Sequence, residues 1–375
     1  MLPFTDIDFF LFALLYVVIM WVFKFLLQDE HYPLVTSVIT LVYFAFYFRY
    51  SAALLGYVAG SYLFTSYLAK NVNHKLWSSA ILFLPMILFK LHVEMPFIYF
   101  AGLSFVSFRA VQVLLDHDYK SKISFTDYFN FLCFIPSFYI GPLDRFKRLS
   151  ENSRTGFTQM NPINAEQGLQ QLAVGILYKF VIAECISRYW LNAGLFNESK
   201  TAFFFNDMYA YTIYLFFDFA GYSAMAIGMA KLIGIHLPMN FNAPFLAINP
   251  PDFWQRWHAS LTNWLTDYLF KPFYKWLNSF QKLKKAPLTR QNIAIFVTLC
   301  AMGCWNGFEI NFVLSGLIYG LFSVGHNIYQ YKCRVNDKDV LFGNLSPLAV
   351  RYISIFIMFN LACFALYVFS GRFIH

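Results

Sequence analysis

A chain of 375 residues that is 59% hydrophobic and 13% charged carries about half the charge of an average soluble domain, and a soluble fold of this size is excluded. The net charge of +8 is spread over short connections between long apolar runs. It therefore reads as membrane topology and as attraction to anionic lipid or an acidic partner, not to nucleic acid. The apolar runs do not alternate, so the backbone is satisfied within helices and not in a closed barrel.

In chain order, membrane helices are predicted over 9–27, 34–48, 52–68, 76–89 and 96–115. The first is too long for a cleavable signal and follows the acidic stretch MLPFTDID instead of a basic leader. Lys70, His74 and Lys75 follow the third helix, and His117, Lys120 and Lys122 the fifth. The positive-inside rule puts those connections in the cytoplasm and the N-terminus outside. The run 125–140 is broken by Pro136 and is basic on both flanks, so it is predicted to re-enter the membrane and not to span it. A helix over 165–190 follows, with Glu184 and Arg188 at the spacing of a helical ion pair. Two more are predicted over 203–219 and 221–235. Asp218, near the end of the first, needs a partner such as Arg109 or Lys179, or a wet interior. The most basic connection holds Lys282, Lys284, Lys285 and Arg290, and helices over 291–305, 311–331 and 348–369 complete the chain. The expectation is an all-α polytopic membrane protein with about eleven spans and its C-terminus outside.

The segment 249–280 is the least typical of so apolar a protein. Pro250 and Pro251 suit a helix start, where their missing amide hydrogens are not needed. From Phe253 the spacing reads as helix, with Trp254, Trp257, Leu261, Trp264, Leu265 and Tyr268 along one side and His258 at its edge. Two readings fit. One is a functional histidine held among aromatic rings, since ionisable groups are costly at membrane depth. The other is an interfacial helix anchored by tryptophans, with its polar groups wet.

Chemistry in such a chain resides in the polar residues of its apolar helices. An imidazole with a pKa of about 6.5 accepts a proton near neutrality. His258 is therefore the candidate general base for attack by a hydroxyl or thiol on an activated acyl carbon. Asn306, in Trp305-Asn306-Gly307, can orient a substrate or donate to an oxyanion but cannot take a proton. It reads equally as a helix cap. His326 reads as an interfacial histidine. Asp144 and Arg145, in GPLDRFKRL, suit a structured turn that positions a headgroup or a carrier, or a structural ion pair. The six cysteines (133, 185, 300, 304, 333 and 363) read as small buried hydrophobes, and no metal site is expected.

Five stretches carry a resemblance to a known family: LSFVSFRAVQVLLD (103–116), IPSFYIGPLDRFKRL (135–149), VGILYKFVIAE (174–184), LFFDFAGYSAMAIGMAKLIGIHLPMNFNAPF (215–245) and FWQRWHASLTNWLTDYLF (253–270). The chain resembles the membrane-bound O-acyltransferase (MBOAT) family and, within it, the branch that D-alanylates teichoic acids. The resemblance implies one membrane domain over 1–375: less family-specific helices over 1–100, a core over 100–330 and a C-terminal helix over 331–375. It implies a ring of helices around a central funnel in the cell membrane. No cofactor is held permanently. The acyl donor is a thioester on the 4'-phosphopantetheine arm of an acidic carrier protein at the cytoplasmic face. A membrane-anchored partner or acceptor protein waits on the outer face. His258 falls on the family's Arg-Trp-His histidine. Arg256, Trp257 and Trp305 beside the two site positions are the expected substrate contacts. Asp144, Arg145, Lys147, Lys284 and Lys285 are the expected carrier contacts, since electrostatic complementarity speeds encounter. The family's second histidine stands in Trp-His-Gly, and here that position is Asn306. A further His-Gly of relatives reads Tyr319-Gly320. The expectation is that His258 carries the base role, with Asn306 as orienting partner; the alternatives are a catalytically degenerate member that acts as a carrier-binding scaffold, or an O-acetyltransferase of an exported polysaccharide.

Overall fold

The computed structural model describes residues 4, 6–47, 51–68, 75–93, 99–117, 122–192, 200–337, 341–343 and 345–373. Lys70, His74 and Lys120, which bear on the topology argument, lie outside the described residues. Every regular element among the described residues is helical. The first five helices are α1 (Ile7–Leu26), α2 (Tyr32–Tyr47), α3 (Ser51–Leu68), α4 (Lys75–Lys90) and α5 (Leu103–Asp116). Two short helices follow, α6 (Phe125–Leu132) and α7 (Phe146–Ser153). Next come α8 (Pro162–Leu191), which contains π-helical turns, and α9 (Lys200–Leu232). The predicted 249–280 element is divided into α10 (Pro250–Arg256), α11 (Ala259–Leu265) and α12 (Lys271–Leu277). The last three are α13 (Pro287–Asn306), α14 (Ile310–Asn336) and α15 (Pro347–Ser370). Five helices among the described residues are long and apolar enough to cross a membrane: α1, α8, α14, α15 and, within α9, Phe203–Leu232.

The chain packs into two compact units. One holds 1–179 with 219–239, and the other holds 180–218 with 240–375. The structure corrects the two helices predicted over 203–219 and 221–235, because α9 runs unbroken for 33 residues. Gly221 does not break it. That glycine marks a crossing where a Cβ would lie 2.7 Å from the Lys179 amide nitrogen of α8. Gly175 and Gly228 meet the opposite helix as closely, at 2.5 Å from Met225 Cγ and 2.7 Å from the Gly168 carbonyl. Small residues let two apolar helices approach backbone to backbone, which is how membrane helices gain packing energy.

The run broken by Pro136 is α6 followed by a buried 3-10 turn, Ile135–Ser137. Such a break strands carbonyls, and a stranded carbonyl away from water costs several kcal/mol. Arg109 of α5 satisfies them. Its guanidinium donates to the Leu132 carbonyl at 3.1 Å, the Ser137 carbonyl at 2.6 Å and the Ser137 hydroxyl at 2.7 Å. Arg109 is therefore committed to the break.

In the second unit α13 and α14 form an antiparallel pair in backbone contact. A Cβ on Gly303 would lie 2.5 Å from the Phe312 carbonyl, and one on Gly316 3.0 Å from the Leu299 carbonyl. α15 is tied to α14 by Ser315 Oγ donating to the Ala365 carbonyl at 3.1 Å and by Asn311 Nδ2 donating to the Phe369 carbonyl at 2.7 Å. Past its end, Arg372 grips buried Asp207 of α9 through two bonds of 2.8 and 2.9 Å.

Candidate active site

The continuous helix predicted from Phe253 onward stops after Arg256 and resumes at Ala259. His258 occupies the break, with φ 48° and ψ 46°. This left-handed backbone is uncommon outside glycine and is tolerated best by Asn, Asp and His. A strap over 240–242 holds it from both sides. The Asn242 amide donates to the Arg256 carbonyl at 3.0 Å, and the Ala259 amide donates to the Asn240 carbonyl at 3.0 Å. The His258 carbonyl then starts α11 by accepting the amides of Leu261 and Thr262 at 3.0 and 3.1 Å.

Side chains complete the clamp. Asn249 Oδ1 caps α10 by accepting the Asp252 amide at 2.8 Å. Asp252 accepts the Ile248 amide at 3.0 Å and Arg256 Nε at 2.6 Å. Arg256 donates onward to the Asn242 carbonyl at 3.3 Å. Arg256, expected to touch substrate, thus braces the strap. The Ser260 hydroxyl donates to Asn240 Oδ1 at 2.5 Å. Asn240, Asn242 and Ser260 went unnoticed in the sequence. Their signal was the pair of asparagines before Pro244, inside a stretch that carries the family resemblance.

The aromatic residues around the break form a core, not a lipid-facing stripe. Trp257 stacks on Phe253 at 5.7 Å and meets Phe241 edge-on at 5.2 Å, so the ring expected at the substrate is a buried support. His258 is itself 7% exposed. It lies outside the five spanning helices, and burial pushes its imidazole down to about 3. It is therefore neutral at physiological pH and, in this buried setting, a weaker proton acceptor than a free imidazole. Its ring centroid is 6.0 Å from that of Trp305, in the last turn of α13. The structure thus brings His258 beside the Trp305-Asn306-Gly307 turn. Asn306 ends α13, and its amide donates to the Met302 carbonyl one turn back at 3.4 Å. Tyr319 is buried against Trp254, with centroids 4.6 Å apart.

The remaining expected contacts separate into exposed and buried groups. Lys282, Lys284 and Lys285 are exposed. Lys147 is exposed too, 3.9 Å from Glu151. Asp144 is 2% exposed and accepts Arg148 Nε and the Arg145 amide at 2.6 Å each. Burial pushes its carboxyl up against the pull of Arg148, Arg145 and Arg109. The structure corrects its reading as a carrier contact, because a buried carboxylate locked to its own turn meets no docking protein. Arg145 is half-buried at the start of the same turn, where its carbonyl accepts the Leu149 amide at 2.9 Å. No group of three His, Cys, Asp or Glu residues among the described residues could hold a metal.

Comparison with known proteins bears on the reaction class. Residues 64–368 match the family model of the membrane-bound O-acyltransferase family. The chain is 31% identical over 294 residues to a teichoic acid D-alanyltransferase of Bacillus subtilis, covering 76% of this chain and 72% of that protein. It is 32% identical to a teichoic acid D-alanyltransferase of Streptococcus thermophilus, covering 78% and 74%. It is also 30% identical to a peptidoglycan O-acetyltransferase of Helicobacter pylori, covering 56% and 39%. This all-helical chain therefore belongs to the membrane-bound O-acyltransferase family and is a membrane acyltransferase.

Proposed function

We propose that this acyltransferase takes a D-alanyl group from the thioester of a phosphopantetheine-bearing acidic carrier protein and passes it across the cytoplasmic membrane toward teichoic acid. One observation carries the substrate reading. The chain spans about three quarters of two teichoic acid D-alanyltransferases but 39% of a peptidoglycan O-acetyltransferase. The exposed Lys282, Lys284 and Lys285 support an acidic carrier. A membrane-anchored partner on the outer face would complete delivery.

In this reading His258 is the general base. The acceptor hydroxyl oxygen attacks the acyl carbon, forming the ester C–O bond as the thioester C–S bond breaks. The hydroxyl proton goes to the neutral imidazole and from there to the leaving thiolate. General-base catalysis of this kind is worth about 10²–10⁴-fold. The Asn306 amide orients the acceptor or donates to the oxyanion.

A second reading is a non-catalytic, carrier-binding membrane scaffold. It draws on Asn306, whose amide folds back on its own helix and stands where the family has a histidine. Transfer of radiolabelled D-alanine from its carrier thioester by the purified protein in lipid vesicles separates the two. We expect turnover that falls at least a hundredfold in His258→Ala and persists or rises in Asn306→His. Turnover unchanged in His258→Ala removes His258 from the reaction. Transfer of acetyl but not D-alanyl favours O-acetylation of an exported polysaccharide, and no transfer favours the scaffold.

A further inference from the structure

The turn that joins α13 to α14 carries a carboxylate next to the candidate site. Gly307 closes α13 with φ 167° and ψ 174°, an extended backbone that any residue adopts. Its lack of a side chain serves another purpose. A Cβ there would overlap Glu309 Oε2, and would lie 3.0 Å from Glu309 Cδ and 2.9 Å from Phe312 Cδ2. The Glu309 carboxylate therefore rests on the Gly307 backbone, directly after Asn306. Glu309 stands at the N-cap of α14, where its carbonyl accepts the Phe312 and Val313 amides at 3.1 and 3.2 Å. A side chain at that position ordinarily accepts an amide of the first turn as well. That of Glu309 makes no such bond, so helix capping does not account for where its carboxylate lies.

The neighbours of this carboxylate are those of the proposed reaction. Trp305, two residues before Gly307, meets the His258 ring at 6.0 Å between centroids. The segment 305–309 thus presents in succession a ring against the candidate base, the amide of Asn306 and an exposed carboxylate. Asp252, the carboxylate closest to His258 along the chain, is committed to the Ile248 amide and to Arg256.

We infer that Glu309 selects an aminoacyl group: its carboxylate receives the ammonium of the D-alanyl unit as the acyl carbon is attacked beside Asn306 and His258. The inference rests on the proposed transfer of D-alanyl and adds the residue that tells it from an uncharged acyl group. A D-alanyl thioester carries its ammonium on the carbon next to the acyl carbon, where an acetyl group has only hydrogen. An ammonium only donates and a carboxylate only accepts, and the charge-assisted bond between them is among the stronger ones. The ammonium adjoins the carbon under attack. The group that reads it must therefore stand beside the groups that act on that carbon, as Glu309 stands beside Asn306. Gly307 keeps that place open. Exposure of Glu309 screens the pair and keeps its effect moderate.

The test measures selectivity. The full-length protein in vesicles is given D-alanyl and D-lactyl thioesters of the same phosphopantetheine carrier; the second has a hydroxyl in place of the ammonium. The variants are Glu309→Gln, which keeps the shape and removes the charge, and Gly307→Ala, which displaces the carboxylate. Thermal unfolding checks that each is folded, and Glu309→Gln carries the test should Gly307→Ala prove unstable. We expect kcat/KM in wild type to favour D-alanyl over D-lactyl, and that ratio to fall about tenfold in each variant. High salt should narrow the wild-type preference. A structural role would lower transfer from both donors together and leave the ratio as it was. An unchanged ratio in Glu309→Gln, or no preference in wild type, overturns the assignment while acyl transfer itself stands. If the wild-type protein transfers from neither donor, the acyl-transfer reading falls and this assignment falls with it.

Discussion

Asn240 holds the residues that follow His258 through two atoms: its carbonyl accepts the Ala259 amide at 3.0 Å, and its side-chain oxygen accepts the Ser260 hydroxyl at 2.5 Å. A histidine in the left-handed region does not stay there unaided, since that conformation costs about 1–3 kcal/mol and persists only where its surroundings over-determine it. The strap supplies the determination.

Loosening the strap should therefore cost activity before it costs the fold. Asn240→Ala removes the side-chain acceptor and strands the Ser260 hydroxyl, at a cost of about 1–3 kcal/mol in stability. We expect acyl transfer to drop at least tenfold, through kcat. Ser260→Ala removes the same bond without stranding its donor and should lose less. A double variant no worse than Asn240→Ala alone would show that the two act as one unit.

The burial of His258 sets a pH dependence. In an unfolded chain its imidazole titrates near 6.5, and in the fold near 3. A folded value depressed below the unfolded one contributes stability that is present above about pH 6.5. That contribution is lost as pH falls toward 3, at about 1.4 kcal/mol per pH unit. His258→Asn keeps a residue tolerant of the left-handed backbone and removes the titration. Wild type should lose melting temperature faster than this variant as pH falls from 6.5 to 5. Parallel curves would mean that the imidazole is hydrated.

Arg109 offers a test of the break in the first unit. Arg109→Met keeps bulk and removes three donations, to Leu132 and to the carbonyl and hydroxyl of Ser137. Removing a buried cation from partners that cannot be rehydrated costs about 3–5 kcal/mol. The variant should therefore yield little folded protein in detergent. Arg109→Lys should recover part of the loss. A compact cation reaches one of the acceptors but not all, as arginine's planar fork does.

The exposed lysines between α12 and α13 should govern carrier binding. Reversing charge at Lys282, Lys284 and Lys285 together is expected to raise the KM for an acidic carrier about tenfold or more at low salt and to leave kcat unchanged. The difference should shrink at high salt, because exposed charges are screened beyond about 3 Å at 1 M. A KM that is insensitive to both changes would move the docking surface elsewhere.

Much of this was legible in the chain itself. Composition and unbroken apolar runs fixed an all-helical membrane protein, because lipid leaves the backbone no other way to satisfy its polar groups. Motif residues placed His258 and Asn306 among the candidates. Where Gly221 interrupts an apolar run, the same local reasoning predicted a helix end. The structure keeps the helix, since a glycine at a helix crossing is there for the neighbour and not for a turn. Asp144 offered both a carrier contact and a structural ion pair, and its burial against Arg148 leaves the ion pair. Continuous helical spacing through Trp257 concealed the break at His258, because periodicity records which residues are buried and not whether the backbone between them is straight. Only the folded chain brings 240–242 alongside 256–259 and sets Trp305 6.0 Å from His258. Those contacts join segments distant in sequence, and backbone hydrogen bonds between such segments leave no periodic trace along the chain.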